Sequence, residues 1–285
     1  MSDARPRDTR PAAASLPAAE GPLHRRFDLA LLDLDGVVYI GPDAVPGAAE
    51  ALDRVRTGGT PLRFVTNNAS RAPETVAEHL TSLGVPASVS EVVTSAQVAA
   101  ALLARRFPGG SGVLVIGGSG LRDALAAEGL TPVESMDANP VAVVQGFGPD
   151  VGWRQLAEAT RAVRAGLYWM ATNLDLTVPT PHGRAPGNGA LVQTVASAAG
   201  RPPDEVAGKP EPGAFREAAL AAGSVRPLVV GDRLDTDLEG AQAAGMPGLL
   251  VLTGVTGASE LISAPPRLRP TYVGRDLGSL LDPHP

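Results

Sequence analysis

Two aspartates near the start of the sequence are spaced so that both could act on one substrate. Asp33 and Asp35 end an apolar run at residues 29–34 and lead into Gly36. Side chains two residues apart on a strand project from the same face, so the two carboxylates would share a face at the strand end. Such a pair can bind a metal, attack an electrophile or transfer protons. A surface turn is the alternative, and a calcium loop is disfavoured because residues 37–40 supply no further side-chain ligands.

A second polar cluster follows another apolar run. Residues 62–66 predict a strand, and Thr66, Asn67 and Asn68 stand at its end. An ordinary turn with Ser70 as a helix N-cap would explain these residue types without any function. Alternatively, a hydroxyl and successive backbone N–H groups at a strand-to-helix turn provide donors for a phosphate.

Lys209 forms the third candidate. A lone lysine is commonly a solvated surface residue, but this one lies between Gly208 and Pro210. Because proline fixes its own φ, the loop is stiff enough to direct one ammonium group at a fixed point.

A fourth cluster is acidic. Asp232, Asp235 and Asp237 follow the apolar run at residues 228–230. Helix capping would explain aspartates here. Oxygen-only ligands also suit a hard ion such as Mg²⁺, and no His/Cys set of the kind that binds zinc is present.

Composition excludes several classes of function. The 285-residue chain has a formal net charge of −6, four histidines that share no motif, and no cysteine. We therefore expect no nucleic-acid partner, no thiolate chemistry and no His-based triad. No apolar stretch reaches the roughly 20 residues that span a bilayer, so we expect no membrane partner and a cytoplasmic location.

Apolar runs alternate with Ala-rich segments of helical period, which is typical of βα units in a parallel sheet. The predicted class is therefore α/β. We predict strands at residues 29–34, 62–66, 113–116, 141–145, 167–172, 228–230 and 249–252. We predict helices at residues 47–56, 73–83, 96–106, 121–128, 153–165, 190–199, 212–222 and 238–244.

One connection is too long for a simple crossover. The segment from Thr66 to Lys209 spans about half of the chain, far more than a parallel-sheet connection needs. We expect it to contain an inserted domain. Within it, residues 117–120 read Gly-Gly-Ser-Gly, which lacks the full dinucleotide-binding spacing and favours a helix start.

The four clusters, in this order and each at a predicted strand end or loop, resemble the motifs of the haloacid dehalogenase superfamily of phosphatases. Residues 33–36 look like its first motif, Thr66 with Asn67 like the second, Lys209 like the third, and residues 231–237 like the fourth. The resemblance covers residues 27–276. It implies a Rossmann-like, doubly wound core with an inserted smaller α/β cap of the C2 type.

The resemblance also predicts the domain boundaries and the branch. We expect a flexible tail at residues 1–26, a core at residues 27–95 and 191–285, and a cap at residues 96–190. Residues 171–175 and 186–191 resemble the branch that contains nucleotide, p-nitrophenyl phosphate, phosphoglycolate and pyridoxal phosphate phosphatases. Residues 93–97, 142–146 and 251–255 are similar to the actinobacterial glycerol 3-phosphate phosphatases of that branch.

Site roles follow from the same resemblance. Asp33 would be the nucleophile and Asp35 the general acid and base. Mg²⁺ would be held by Asp33, the Asp35 backbone carbonyl and Asp232, with Asp237 supporting them from behind. The phosphate of a small metabolite, glycerol 3-phosphate above all, would be bound by these residues: Thr66, Asn67, Asn68 and Lys209. Cap-mediated homodimers occur in this branch.

Several alternatives stay open at this stage. Phosphoglycolate, a nucleoside monophosphate or another sugar phosphate could be the substrate within the same branch. A phosphotransferase of the same superfamily is a further alternative. A signalling receiver also forms a phosphoaspartate beside Mg²⁺, Thr and Lys, but as a compact domain without a large insertion. A non-catalytic phosphate-binding protein would keep the fold without turnover.

Overall fold

The computed structural model describes residues 21–180 and 183–284. Its strands are β1 (Leu29–Leu32), β2 (Tyr39–Ile40), β3 (Asp43–Ala44), β4 (Leu62–Thr66), β5 (Val92–Thr94), β6 (Gly112–Ile116), β7 (Thr131–Val133), β8 (Ala142–Gln145), β9 (Tyr168–Ala171), β10 (Thr177–Thr180), β11 (Gly183–Pro186), β12 (Glu205–Val206), β13 (Pro227–Gly231), β14 (Gly248–Val251) and β15 (Tyr272–Gly274). Its α-helices are α1 (Ala48–Thr57), α2 (Pro73–Ser82), α3 (Ser95–Arg106), α4 (Ser119–Ala127), α5 (Trp153–Arg164), α6 (Asn188–Ala199), α7 (Gly213–Ala221), α8 (Glu239–Ala244) and α9 (Ala258–Ser263).

The first sheet has six parallel strands in the order β15-β14-β13-β1-β4-β5. The chain builds outwards from β1 through β4 to β5, and later from β13 through β14 to β15 on the other side. The strand order therefore reverses between β1 and β13. In open α/β sheets, ligands bind at such a reversal, beyond the carboxyl ends of the strands.

The second sheet lies in the insertion between β5 and β13. Its five strands are also parallel, in the order β12-β9-β8-β6-β7. An antiparallel hairpin of β10 and β11 adjoins it in sequence. We call residues 112–206, apart from 181–182, the inserted region. The predicted α/β class, with a doubly wound core sheet and an inserted smaller α/β unit, is confirmed.

Apolar side chains cover both faces of the first sheet. On one face, Leu32 and Phe64 are fully buried against α1 and α2. On the other, Leu31 and Val229 belong to a buried cluster that includes residues of α3 and α7 and reaches the second sheet. Strands that are buried on both faces read as continuous apolar runs, which explains why the four inner strands β14, β13, β1 and β4 were predictable from the sequence.

Several details differ from the sequence predictions, which include no strand for β5 or β15 at the two edges of the first sheet. Strand β1 ends at Leu32 rather than at residue 34, because the chain turns there towards Gly36. Most of the predicted tail lies outside the described residues, but residues 23–26 form a 3₁₀-helix in which Leu23 is fully buried. The described end of that tail is therefore part of the core, where Leu23 N–H donates to the Asp282 carbonyl.

A further difference concerns the predicted cap boundary at residue 190. Strand β12 pairs with β9, so the second sheet receives a strand well beyond that boundary. Helix α6 packs on the same sheet through Val192 and Val195. The chain therefore leaves the second sheet only after Val206, just before Lys209.

None of the helices in residues 21–180 and 183–284 combines the length and the apolar character that crossing a membrane requires.

Candidate active site

The four predicted clusters meet at the carboxyl ends of adjacent strands of the first sheet. Asp33 follows β1, and its N–H continues the ladder by donating to the Val230 carbonyl at 2.9 Å. Thr66 is the last residue of β4, and Asp232 directly follows β13. Because these strands are neighbours in the sheet, the three side chains come together at the strand-order reversal.

Lys209 is the centre of the cluster. Its Nζ donates to Asp33 Oδ1 at 2.5 Å, to Asp237 Oδ1 at 2.7 Å and to the Val65 carbonyl at 3.2 Å. The lysine is 3% exposed and Asp237 is fully buried. Burial opposes the charged ammonium, but the carboxylates of Asp237 and Asp33 outweigh that cost and raise the pKa of Lys209. The alternative of a solvated surface lysine is thereby excluded.

The amino-acid composition contains a further signal for Lys209, which the motif-based prediction did not use. Lys209 is the only lysine in the chain, whereas the other 23 basic residues are arginines. A compact ammonium with three rotatable donors fits between three oxygens, while a planar guanidinium is larger and presents its donors as a rigid fork. The one lysine of the chain therefore occurs where a compact positive charge is needed.

Asp232 has one oxygen that no described residue satisfies. Its Oδ2 accepts the Val255 N–H at 2.6 Å, but its buried Oδ1 has no hydrogen-bond partner in the described part of the chain. Burial and the negative charge of Asp237 raise the pKa of Asp232 to about 7. Burial is also the main cause that raises the pKa of Asp33, against the opposing effect of Lys209. The surroundings therefore disfavour the ionised form of both Asp33 and Asp232.

The charges at the site do not balance among the described residues. One oxygen from each of Asp33, Asp232 and Asp237 lies within 4.8 Å of the others. Among the described residues, Lys209 is the only charged side chain that hydrogen-bonds to these three carboxylates, since the Arg233 guanidinium is paired with Asp235. A buried excess of negative charge needs a cation, and a set of hard oxygen donors selects an ion such as Mg²⁺. The orphan Oδ1 of Asp232 is a donor atom available to that ion.

Asp35 lies at the edge of this cluster. It is half-buried, and burial raises its pKa despite the nearby positive charges of Lys209 and Arg71. Gly36 has a φ of +88°, which L side chains rarely adopt, and a Cβ there would lie 2.5 Å from Asp232 Oδ2. Glycine at position 36 therefore allows the turn that follows Asp35 to approach Asp232 closely. A raised pKa suits a group that must donate a proton.

The Thr-Asn-Asn segment forms a tight turn. Thr66 Oγ1 accepts the Asn68 N–H at 3.1 Å, and its own O–H donates to none of the residues that the structure describes. Asn68 Oδ1 accepts from the N–H and the hydroxyl of Ser70. The side chain of Asn67 binds the backbone of Lys209 and the carboxylate of Asp175. The Asn67 amide is therefore committed to protein groups at both ends, whereas Asn68 uses only its Oδ1 and its Nδ2 donates to no described residue.

Two contributors to the site lie in segments whose role the sequence did not indicate. Asp175, from the inserted region, is half-buried, and burial raises its pKa against the effect of its hydrogen bond from Asn67. The loop after β14 supplies the Val255 N–H to Asp232, while Thr253 Oγ1 donates to the Gly36 carbonyl at 2.6 Å. In the sequence, these positions belong to segments that resemble the family, but the resemblance did not indicate a chemical role for them.

Family models match both halves of the first sheet. A haloacid dehalogenase-like hydrolase model matches residues 30–131, and a HAD-hydrolase-like model matches residues 206–280. Together they include Asp33, Thr66, Lys209 and Asp232. The chain belongs to the haloacid dehalogenase-like hydrolase family.

Curated relatives of this chain within the family are phosphatases. The D-glycerol 3-phosphate phosphatase of Mycobacterium tuberculosis is 50% identical over 257 residues, 90% of this chain and 71% of that protein. An acid sugar phosphatase of Staphylococcus aureus is 36% identical over 259 residues, 90% of this chain and 98% of that protein.

The solved structures that are similar to this chain also include phosphatases. The crystal structure of glycerol phosphate phosphatase from M. tuberculosis in complex with magnesium has a TM-score of 0.89 and 48% identity, covering 92% of this chain and 79% of that one. The 4-nitrophenylphosphatase of Thermotoga maritima has a TM-score of 0.84 and 30% identity, covering 91% and 98%. The chain is an enzyme of the phosphatase class.

The charge imbalance yields a prediction about metal binding. Mg²⁺ should raise the thermal unfolding temperature of the wild-type protein, because a ligand that binds only the folded state stabilises it. Asp232→Asn should lose that response. Without metal, the variant should unfold at a temperature no lower than wild type, since it loses a like charge but keeps an oxygen for Val255 N–H.

Differential scanning fluorimetry with and without Mg²⁺, after treatment with a chelator, makes this measurement. Asp137→Asn, at an exposed aspartate of the inserted region, is the matched control and should respond to Mg²⁺ as wild type does. An undiminished Mg²⁺ response in Asp232→Asn would remove Asp232 from the metal site.

Proposed function

We propose that this protein is a Mg²⁺-dependent phosphomonoester hydrolase that acts on glycerol 3-phosphate through an aspartyl-phosphate intermediate. The observation that carries the proposal is the buried arrangement around Lys209. One ammonium holds Asp33 and Asp237 at the end of β1, beside an Asp232 oxygen that lacks a partner. This arrangement supports a nucleophilic carboxylate next to a cation site.

Asp33 is the proposed nucleophile. Lys209 binds its Oδ1, which leaves Oδ2 as the oxygen that attacks phosphorus. A bond forms between Oδ2 and phosphorus as the bond from phosphorus to the alcohol oxygen breaks, giving an aspartyl-phosphate and the alcohol. Water then attacks the phosphorus of this intermediate and releases inorganic phosphate with the carboxylate restored. The hydrolysis is thus divided into two easier displacements.

Asp35 is the proposed general acid and base. Its raised pKa favours the protonated form that donates to the departing alkoxide. The resulting carboxylate then accepts a proton from the attacking water. One group thereby serves both steps.

The proposed metal ligands are Asp33, the backbone carbonyl of Asp35 and Asp232. Both oxygens of Asp237 accept hydrogen bonds, from Lys209 Nζ and from Arg233 N–H, so this residue supports the site from behind. When bound, Mg²⁺ supplies the positive charge that lets an anionic carboxylate approach an anionic phosphate.

Thr66 and Lys209 are the proposed residues that stabilise the transferring phosphate oxygens. Among the described residues, the Thr66 O–H donates to no protein group. Lys209 contributes the positive charge of its ammonium, whose three hydrogens bind Asp33, Asp237 and the Val65 carbonyl. Preorganised donors of this kind stabilise the charge that develops in the transition state. Because the Asn67 amide is committed to protein groups at both ends, its proposed contribution to phosphate binding is restricted to the backbone. Asn68 is proposed to contribute its backbone and its side-chain Nδ2, which donates to no described residue.

Glycerol 3-phosphate is the proposed substrate because the relative that is 50% identical is named for that activity. We propose that the inserted region is the cap that selects the alcohol. Its second sheet also argues against the receiver alternative, which needs a compact domain without an insertion. Homodimerisation through the cap and a cytoplasmic location stay predictions, which light scattering and cell fractionation test.

The substrate proposal is tested with a panel of phosphate monoesters. Glycerol 3-phosphate should give the highest kcat/KM, ahead of phosphoglycolate, nucleoside monophosphates and sugar phosphates. A higher value for any other monoester would replace the substrate and leave the reaction class intact. Adding an acceptor alcohol and analysing the products separates hydrolysis from phosphotransfer.

Asp33→Asn should abolish Mg²⁺-dependent release of phosphate while leaving the fold intact, because an amide cannot form the aspartyl-phosphate. A colorimetric phosphate assay and circular dichroism make the two measurements. Asp28→Asn is the control, since Asp28 lies at the opposite end of β1 and caps the N–H groups of Val225 and Arg226. Turnover retained by Asp33→Asn would contradict the assignment of the nucleophile.

Lys209→Ala should lower kcat by about 10²-fold or more, the effect of losing one preorganised electrostatic donor. Lys209→Arg keeps the charge but should not restore activity, because the guanidinium does not fit between Asp33, Asp237 and the Val65 carbonyl. Steady-state kinetics measures both variants, with Arg267→Ala, at an exposed arginine, as control. A loss of only twofold in Lys209→Ala would contradict its role.

A further inference from the structure

Asn67 binds the backbone of Lys209 with both ends of its side-chain amide. Its Oδ1 accepts the Lys209 N–H at 2.8 Å, and its Nδ2 donates to the Lys209 carbonyl at 3.0 Å. Because the amide has one accepting end and one donating end, this pair of bonds forms in only one of its two flipped orientations. The loop that carries the catalytic ammonium is thus attached to the end of β4.

The inserted region holds Asn67 in turn. Asp175 Oδ2 accepts from Asn67 Nδ2 at 3.0 Å, and Asn173 Nδ2 donates to the Asn67 carbonyl at 2.7 Å. Asn173 Oδ1 also accepts the Asp175 N–H at 3.1 Å, so the two residues hold each other in place. Asn67 therefore lies between the Lys209 loop on one side and residues 173–175 on the other.

Residues 173–175 are fixed within the inserted region by the start of α6. Asn188 Nδ2 donates to the Asn173 carbonyl at 2.7 Å, and the Gly189 N–H donates to the Asp175 carbonyl at 2.8 Å. A Cβ at Gly189 would collide with the Leu174 carbonyl, so only glycine permits this approach. A continuous set of hydrogen bonds thus runs from α6 to the lysine that binds Asp33.

We propose that Asn67, Asn173 and Asp175 form a clasp that couples the inserted region to the position of Lys209. In this role Asp175 is a positioning residue: it orients the Asn67 amide, which sets the backbone of Lys209 and so the place of its ammonium. The proposal rests on the proposed phosphatase function for its kinetic consequence, but the clasp itself is measurable without turnover.

The clasp makes a specific prediction about two variants at one position. Asp175→Ala removes the acceptor for Asn67 Nδ2, whereas Asp175→Asn keeps an amide oxygen there and removes only the charge. If Asp175 acts by holding Asn67, the alanine variant loses function and the asparagine variant retains it. If it acts through its charge, both variants lose function alike.

The single lysine supplies a readout that does not depend on catalysis. Protein labelled with [¹⁵N]lysine should give one backbone amide resonance, that of Lys209, whose N–H donates to Asn67 Oδ1. Asp175→Ala should shift this resonance and accelerate its hydrogen exchange by about tenfold or more, since weaker local structure opens more often. Asp175→Asn and the control Asp137→Ala should leave it close to wild type.

Kinetics then tests the consequence for turnover. Asp175→Ala should lower kcat by about tenfold and change KM by less than about threefold, because Lys209 acts mainly on the transition state. The loss should be equal for glycerol 3-phosphate and p-nitrophenyl phosphate, whose leaving groups differ. In an Asn67→Ala background, Asp175→Ala should have no further effect, as expected for two residues that act as one unit.

Several results would overturn the clasp. These are an unchanged Lys209 amide in Asp175→Ala, additive effects of the two alanine substitutions, or a loss confined to the KM for glycerol 3-phosphate, which would make Asp175 a substrate contact. Failure of the proposed function looks different. In that case wild type would release no phosphate from any monoester, while the amide resonance would still report whether Asp175 holds the loop.

Discussion

The structure depends on how one buried ammonium is shared between two buried carboxylates. Lys209 Nζ lies 2.5 Å from Asp33 and 2.7 Å from Asp237, and a third carboxylate, Asp232, completes the cluster. Ionised side chains buried together are costly unless they are paired and hydrogen-bonded. The remaining excess of negative charge is the physical reason for a divalent cation, and the same excess makes Asp33 available as a nucleophile once that charge is compensated.

This requirement explains how the chain is arranged. The first sheet brings Asp33, Thr66 and Asp232 together because β1, β4 and β13 are adjacent parallel strands that end at one edge. Lys209 comes from elsewhere: it follows the last strand of the inserted region by three residues in the sequence. The insertion therefore delivers the balancing charge to the core. Attachment of that loop through Asn67 gives the inserted region a second role, besides any contact with substrate.

Much of this was predictable from the sequence, and the exceptions have physical reasons. Strands buried on both faces appear as apolar runs, so the sequence predicts the inner strands to within two residues and places Asp33, Thr66 and Asp232 at or near their ends. Two- and three-residue strands such as β7 and β12 have no such run, which is why the boundary at residue 190 omitted β12. The packing of Leu23 was hidden because one leucine in a polar segment carries no periodic signal.

The role of Asn67 was beyond the reach of sequence patterns. A Thr-Asn-Asn turn indicates donors at a strand end, but it does not show that the Asn67 amide is taken up by Lys209 and Asp175, both more than 100 residues away in the chain. Side-chain partners at that separation are set by tertiary packing. The count of lysines was a usable signal, since a residue type that occurs once among arginines points to a place where shape matters.

The central claim is that Asp33, held by Lys209, becomes covalently phosphorylated during turnover. Acid quenching of the Mg²⁺-loaded enzyme during turnover of glycerol 3-phosphate, followed by peptide mass spectrometry, tests this directly. The account predicts a phosphate on Asp33 that hydroxylamine removes. Steady release of phosphate with an unmodified Asp33, or with the phosphate on another residue, would contradict it.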